Sequence, residues 1–192
     1  MIGKGTPEVA DPFAVEMVRF QGALNGVAPD MESNTKLARV ALQPAKEMIT
    51  SALSRHADTI RLDPKGDRAK IGFLVDGMPV PAGQVPKQRA HAMTQIIKLL
   101  AGLDINQRRE PQEGGIKASY ADVEYELKVL SVPVEGGVER LIIYIRDVDE
   151  KLEKPEDIGI TAELKAKLRE LTLQKTKLLL ICGPRRSGTT VT

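Results

Sequence analysis

Residues 116–147, IKASYADVEYELKVLSVPVEGGVERLIIYIRD, decide the fold. They read as three strands, near 116–120, 122–132 and 139–147. Tyr120-Ala121-Asp122 marks one turn and Glu135-Gly136-Gly137 the other. Strands joined by connections this short run antiparallel. Leu141-Ile142-Ile143-Tyr144-Ile145 is nearly all apolar, which predicts a central, buried strand.

Upstream lies a polar loop, Asn106 to Gly115, and before it the clearest helix of the chain, 86–102. Pro86 opens this helix and Gly102 closes it. Ala92, Ile96, Leu99 and Leu100 form its apolar face, with Met93 and Leu103 beside it. Earlier still, Thr59–Asp63 and Lys70–Val75 alternate as strands do, and Pro64-Lys65-Gly66-Asp67 suits the hairpin loop between them. Asp76-Gly77 ends the second strand in a turn. Residues 44–57 predict a helix, with Pro44 in its first turn and Met48, Ile49, Ala52 and Leu53 at helical spacing. Residues 1–43, punctuated by Pro7, Pro12 and Pro29, read as an N-terminal arm with little core of its own.

Downstream, Pro155 marks a boundary. Thr161–Gln174 predicts an amphipathic helix, with Thr161 as N-cap and Glu163 and Glu170 on its polar side. Lys177–Cys182 is then a buried strand feeding directly into Gly183-Pro184, as a phosphate loop begins. The expected fold class is α+β, a mainly antiparallel sheet with packing helices over 44–148. Residues 149–192 read as the opening piece of a second, incomplete domain.

The composition excludes several functions. Only 3% of the 192 residues are aromatic and none is Trp, so stacking platforms for single-stranded nucleic acid are not expected. A net charge of +2, from 28 basic and 26 acidic residues, gives no footprint for nucleic acid or an anionic membrane. The lone cysteine, Cys182, can form neither an internal disulfide nor a thiolate cluster, and a reducing cytoplasm is the simplest setting. No run approaches the ~20 apolar residues of a membrane span. Met1-Ile2-Gly3-Lys4-Gly5 lacks the apolar core of a signal peptide, so direct membrane insertion is not expected.

Two segments could carry chemistry. Gly183-Pro184-Arg185-Arg186-Ser187-Gly188-Thr189-Thr190 is spaced like a phosphate loop, G-x-x-x-x-G-K-[ST]. In such a loop the glycines let backbone N–H groups approach the phosphates, the lysine reaches the β/γ-phosphates, and the final hydroxyl binds Mg²⁺. Gly183, Gly188 and Thr190 stand in place, but Thr189 occupies the lysine position. One reading is a degenerate nucleotide site, with Arg185 or Arg186 supplying charge from the side. For the octet alone, a glycine-rich loop that holds nothing is the better reading. The second segment is Arg108-Arg109, on a loop shaped by Pro111, Gly114 and Gly115, where two guanidiniums could clamp an anion. On chemistry alone, a solvated surface pair is the better reading. His56 and His91 lack metal-ligand spacing and read as surface or helix-packing residues. Asp147, Asp149 and Glu150 read as a charged strand exit. No catalytic residue and no metal site is expected.

Taken in order, the pieces resemble the secretion-superfamily ATPases of type II secretion and type IV pilus assembly. That family's "D-I-H-I-E-P" is similar to Thr59-Ile60-Arg61-Leu62-Asp63-Pro64 after Asp58, and its "R-I-D-G" to Leu74-Val75-Asp76-Gly77. "K-x-M-A-x-L-D-I" resembles Lys98-Leu99-Leu100-Ala101-Gly102-Leu103-Asp104-Ile105, and "R-x-P-Q-D-G" resembles Arg109-Glu110-Pro111-Gln112-Glu113-Gly114. The "S-T-L-P" and "G-E-R" strands look like Leu130-Ser131-Val132-Pro133 and Val138-Glu139-Arg140. Ile158-Gly159-Ile160 echoes the phrase before the family's linker helix, and the tail from Gly183 resembles "G-P-T-G-S-G-K-T-T-T".

The resemblance spans roughly 45–192 and reverses the reading of the tail, which becomes a descendant of a phosphate loop. It implies that 149–192 begins a RecA-like motor domain, with the remaining motor elements beyond residue 192. It also implies ATP and Mg²⁺ in the longer protein, ring self-association, and inner-membrane secretion or pilus platform proteins as partners. The location would be cytoplasmic, peripheral to the inner membrane. The family's nucleotide-facing arginines are only partly kept. Ile96, Lys128, Tyr144 and Gly115 stand at four such positions, and Arg109 and Arg140 remain. Arg109, Lys128 and Arg140 are therefore the candidate nucleotide-facing basic residues. This chain alone is expected to be no enzyme and to hold no cofactor. Its expected role is regulatory, coupling nucleotide state to machine assembly. A nucleotide-independent pseudo-ATPase module is the alternative.

Overall fold

A computed structural model describes residues 16–148 and 161–173, together with Leu180 and Cys182. Its centre is a seven-stranded antiparallel sheet in the order β1-β5-β6-β7-β2-β3-β4. The strands are β1 (Arg19–Ala23), β2 (Thr59–Lys65), β3 (Arg68–Val75), β4 (Met78–Pro86), β5 (Gln112–Tyr120), β6 (Val123–Val134) and β7 (Val138–Asp147). Two helices, α1 (Thr35–Leu53) and α2 (Lys87–Leu100), complete the core, and α3 (Ala162–Thr172) follows. The α+β class and the antiparallel sheet agree with the sequence reading.

Four hairpins build most of the sheet, the first turning at Gly66-Asp67 between β2 and β3. Asp76 (φ 49°) and Gly77 (φ 77°) turn β3 into β4, and Ala121 (φ 50°) and Asp122 (φ 59°) turn β5 into β6. Positive φ at both central residues is the geometry that matches the right-handed twist of paired strands. β7 is the middle strand, as its apolar run predicts, but only one of its faces is fully covered. Leu141 and Ile143 are buried, whereas Tyr144 is exposed. Across the sheet Ile143 pairs with Ile60 and Val129, and Ile60 with Phe73, so one continuous apolar layer faces α1 and α2.

Three elements differ from expectation. The first helix starts at Thr35, not at 44, and runs through Pro44. Its apolar stripe, Leu37, Ala38, Ala41, Ala45, Met48 and Ile49, packs into the core without a break at the proline. Burial of this stripe outweighs the one hydrogen bond that proline removes. The helix also stops early, at Leu53, where His56 turns to φ 53° and the Ala57 N–H bonds back to the Ala52 carbonyl.

Residues 19–23, read as part of an arm, form the edge strand β1 on β5. Ahead of it, the Val18 N–H donates to the Thr50 hydroxyl at 3.0 Å, and Val18 is fully buried. The reading failed because β1 is short and carries a register shift between Phe20 and Gly22.

β4 has no counterpart in the sequence reading. It contains Pro79 and Pro81, which cannot donate to a ladder. It is tolerated because β4 is an edge, paired only with β3. The fourth hairpin, joining β6 and β7, turns at the expected Glu135-Gly136-Gly137.

α3 has the expected cap: the Thr161 hydroxyl accepts from the Leu164 N–H at 3.3 Å. None of its residues is buried, and Leu164 and Leu171 are exposed. The strand expected at 177–182 lies outside the described residues except for Leu180 and Cys182, both exposed.

Candidate functional site

Strand alternation places two kinds of surface on the sheet. One is sealed by α1 and α2. The other carries Arg61 and Asp63 of β2, Glu113 of β5, Glu126 and Lys128 of β6, and Arg140, Tyr144 and Arg146 of β7. The register joins these positions: Lys128 lies opposite Tyr144, and Glu126 opposite Arg146. Charged side chains sit here because no helix among the described residues packs on this face. Two of the three candidate nucleotide-facing residues, Lys128 and Arg140, are thus brought to one face on adjacent strands.

The face holds two shallow grooves. One, of about 690 Å³, is lined by Leu24, Gly115, Lys128, Tyr144 and Arg146 among others. The other, of about 600 Å³, is lined by Arg61, Asp63, Lys70, Gly72, Pro79 and Gln84 among others. Gly115 lies under Leu24, whose side chain occupies the space a Cβ would take, and the Leu24 N–H donates to the Gly115 carbonyl at 2.8 Å. A glycine in this position therefore does more than remove a charge: it admits the chain leaving β1.

Each basic candidate on the face already has a carboxylate partner. Lys128 Nζ is 2.7 Å from Glu113 Oε1, with both side chains more than half exposed. Arg140 pairs with Asp63, which also receives Arg61 at 3.4 Å. Arg146 reaches Glu126 at 3.4 Å. The face is a mosaic of ion pairs, with no run of uncompensated positive charge of the kind polyphosphate recognition needs.

Arg109 is separate from both grooves. It is exposed on the loop between α2 and β5, and its N–H donates to Gln107 Oε1 at 3.0 Å. Gln112 closes this loop from the other side. Its Nε2 donates to the carbonyls of Asp104 (3.0 Å) and Gln107 (2.8 Å), and its Oε1 accepts from the Asp104 N–H (3.1 Å). Gln112 and the glycines after it belong to β5 rather than to the loop, which shortens the expected 106–115 stretch. Gly183 to Thr190 lie outside the described residues. No group of His, Cys, Asp and Glu that could hold a metal occurs among the described residues.

A family model described as "Type II/IV secretion system protein" matches residues 34–192. The chain belongs to that family. Among its relatives is the type IV pilus assembly ATPase PilB of Thermus thermophilus, 26% identical over 150 residues, which cover 77% of this chain and 16% of that protein. The type II secretion system protein E of Xanthomonas campestris pv. campestris is 29% identical over 165 residues, 85% of this chain and 29% of that protein. The type II secretion system protein HxcR of Pseudomonas aeruginosa is 30% identical over 146 residues, 76% of this chain and 31% of that protein. The secretion-family chain thus spans less than a third of the length of each of these three. No helix among its described residues is long and apolar enough to cross a membrane.

One charged pair of this family member was missed in the sequence. Lys98 and Glu139 meet in the core, both out of solvent. The signal was present: Lys98 interrupts the run Ile96-Ile97-Lys98-Leu99-Leu100, every member of which is buried. A charge inside such a run needs a buried partner.

Proposed function

We propose that this chain is the N-terminal regulatory and assembly region of a type II secretion or type IV pilus ATPase-like protein. In this reading the α+β domain moves against a nucleotide-driven motor domain that begins near residue 149, and relays that motion to the machine. The observation that carries it is the sheet face that no described helix covers, with Lys128 and Arg140 on neighbouring strands. A sheet with one face sealed by helices and the other bearing paired charges offers that second face to another domain. The longer protein would work as a ring on the cytoplasmic side, held by inner-membrane secretion or pilus platform proteins. ATP and Mg²⁺ would bind at the motor domain, and the chain itself would catalyse nothing.

A second reading, a nucleotide-independent pseudo-ATPase module that acts only in protein–protein assembly, is favoured by the ion pairs. Lys128 and Arg140 are compensated by Glu113 and Asp63, and Thr189 replaces the phosphate-loop lysine. An NMR titration of the chain with Mg-ATP separates the two. Shifts confined to 183–190, and lost when Arg185 and Arg186 are both changed to Ala, support nucleotide coupling. No shifts at millimolar ATP support the assembly module.

A further inference from the structure

Lys98 is fully buried, which an ammonium group tolerates only when it is paired with a counter-charge and hydrogen-bonded. Its Nζ donates to Glu139 Oε1 at 2.6 Å and to the Gln107 carbonyl at 2.7 Å. Glu139 Oε1 also accepts from the Ser131 hydroxyl at 2.8 Å. The carboxylate is therefore held by β6 and β7 together, and the ammonium links that strand pair to a loop carbonyl nine residues along from Lys98 itself. The same Gln107 carbonyl takes the side-chain amide of Gln112, the first residue of β5. One oxygen thus joins the last turn of α2, the loop, the start of β5 and, through the lysine, the centre of the sheet.

We propose that Lys98 is a positioning residue, whose ammonium fixes the Gln107–Gln112 segment against β7 and so sets how Arg108 and Arg109 are presented. Packing alone would be served as well by an apolar pair of similar volume, which is often no less stable than a buried ion pair. An apolar pair could not hold a carbonyl. Leu103 and Ile105 tie the start of the loop to the core, but beyond them Asn106, Arg109, Glu110 and Pro111 are exposed. Past Ile105, the place of the loop depends on the hydrogen bonds that Lys98 and Gln112 make to the Gln107 carbonyl. This role is independent of whether the chain binds nucleotide.

The test uses the full chain and two independent NMR measurements. In the double variant Lys98→Met/Glu139→Leu, the thermal midpoint is expected near that of the unaltered protein, well above that of Lys98→Met alone. The amide signals of 104–112 are nevertheless expected to move and to broaden, while those of α1 and β2 stay in place. Amide signals of 104–112 that superimpose on those of the unaltered chain, in a folded double variant, would overturn the proposal. The second measurement needs no substitution. The Lys98 ammonium should exchange slowly with solvent and show a scalar coupling across its hydrogen bond to the Gln107 carbonyl carbon. An ammonium that exchanges like those of the exposed lysines overturns the proposal even where the double variant fails to fold.

Discussion

A side-chain carbon on Gly114 would lie 2.8 Å from the Ala101 carbonyl oxygen and equally close to Leu103 Cδ2. β5 crosses beneath the end of α2 at this point, and the missing side chain lets the two backbones approach. One of the obstructing atoms is backbone, which cannot rotate away. Gly114→Ala is therefore expected to cost about 1–3 kcal/mol, the usual range for forcing a methyl group into a filled space. Urea denaturation checks this. A change within about 0.5 kcal/mol, as at an ordinary surface position, would show that α2 can lift off β5 freely.

Pro44 lies in the interior of α1, so the Val40 carbonyl lacks the N–H it would otherwise accept from. Val40 is largely exposed, so water can take that place. Replacement by Ala restores the helical bond. Setting the ~3 kcal/mol interior cost of proline against the ~1 kcal/mol it contributes by stiffening the unfolded chain leaves a gain of roughly 2 kcal/mol for Pro44→Ala. A lower unfolding midpoint in the variant would mean that the ring's own packing at this half-buried position outweighs both terms.

Pro44 also explains how far the fold could be read from sequence. Read locally, a proline before a helical stripe is a helix start, and Leu37, Ala38 and Ala41 ahead of it lose their meaning. Only the tertiary stripe shows that the helix continues. β4 was hidden in the same way, because prolines argue against a strand until the strand is known to be an edge. The hairpins at Ala121-Asp122 and Gly136-Gly137 and helix α2 were legible, since turn residues and a local period specify them. On the open face, Lys128 and Arg140 were singled out by resemblance alone. Their partners Glu113 and Asp63 were not, because cross-strand neighbours depend on register, and register is not written in either strand alone.

The ion pairs on the open face should matter little to stability. The Arg140 and Asp63 side chains are 41% and 32% exposed, and the Lys128–Glu113 pair is more exposed still. Exposed pairs contribute at most about 1 kcal/mol and are screened by salt. Arg140→Ala and Lys128→Ala are each expected to shift the urea midpoint only slightly, and less at 0.5 M than at 0.05 M salt (roughly Debye lengths of 4 and 14 Å). Glu139→Gln in the core, by contrast, leaves the buried ammonium of Lys98 without its counter-charge, a change of about 3–5 kcal/mol. Equal effects at the two locations would mean that the open face is covered in solution, by a second copy or by the tail of the chain.

His91 gives the chain a pH dependence with a definite sign. Partial burial holds its imidazole below the ordinary 6.5, and Arg108 and Lys98 push the same way while Glu139 opposes them. Lys87 lines the same small cavity beside Glu139. The unfolded chain therefore takes up the His91 proton at a higher pH than the folded chain does. By linkage, stability is at its full value above about 6.5 and falls as pH drops from there toward the folded-state value. Asp30 acts in a lower window. The Ser33 N–H donates to its carboxylate at 3.0 Å and holds it below 3.8, so its contribution is lost only on stronger acidification. Thermal unfolding of the chain between pH 5 and 8 should show the midpoint declining on the acid side, and His91→Gln should flatten the part of that decline above pH 5. An unchanged slope in the variant would mean that the imidazole is hydrated in the folded protein and that Arg108 and Lys98 do not act on it.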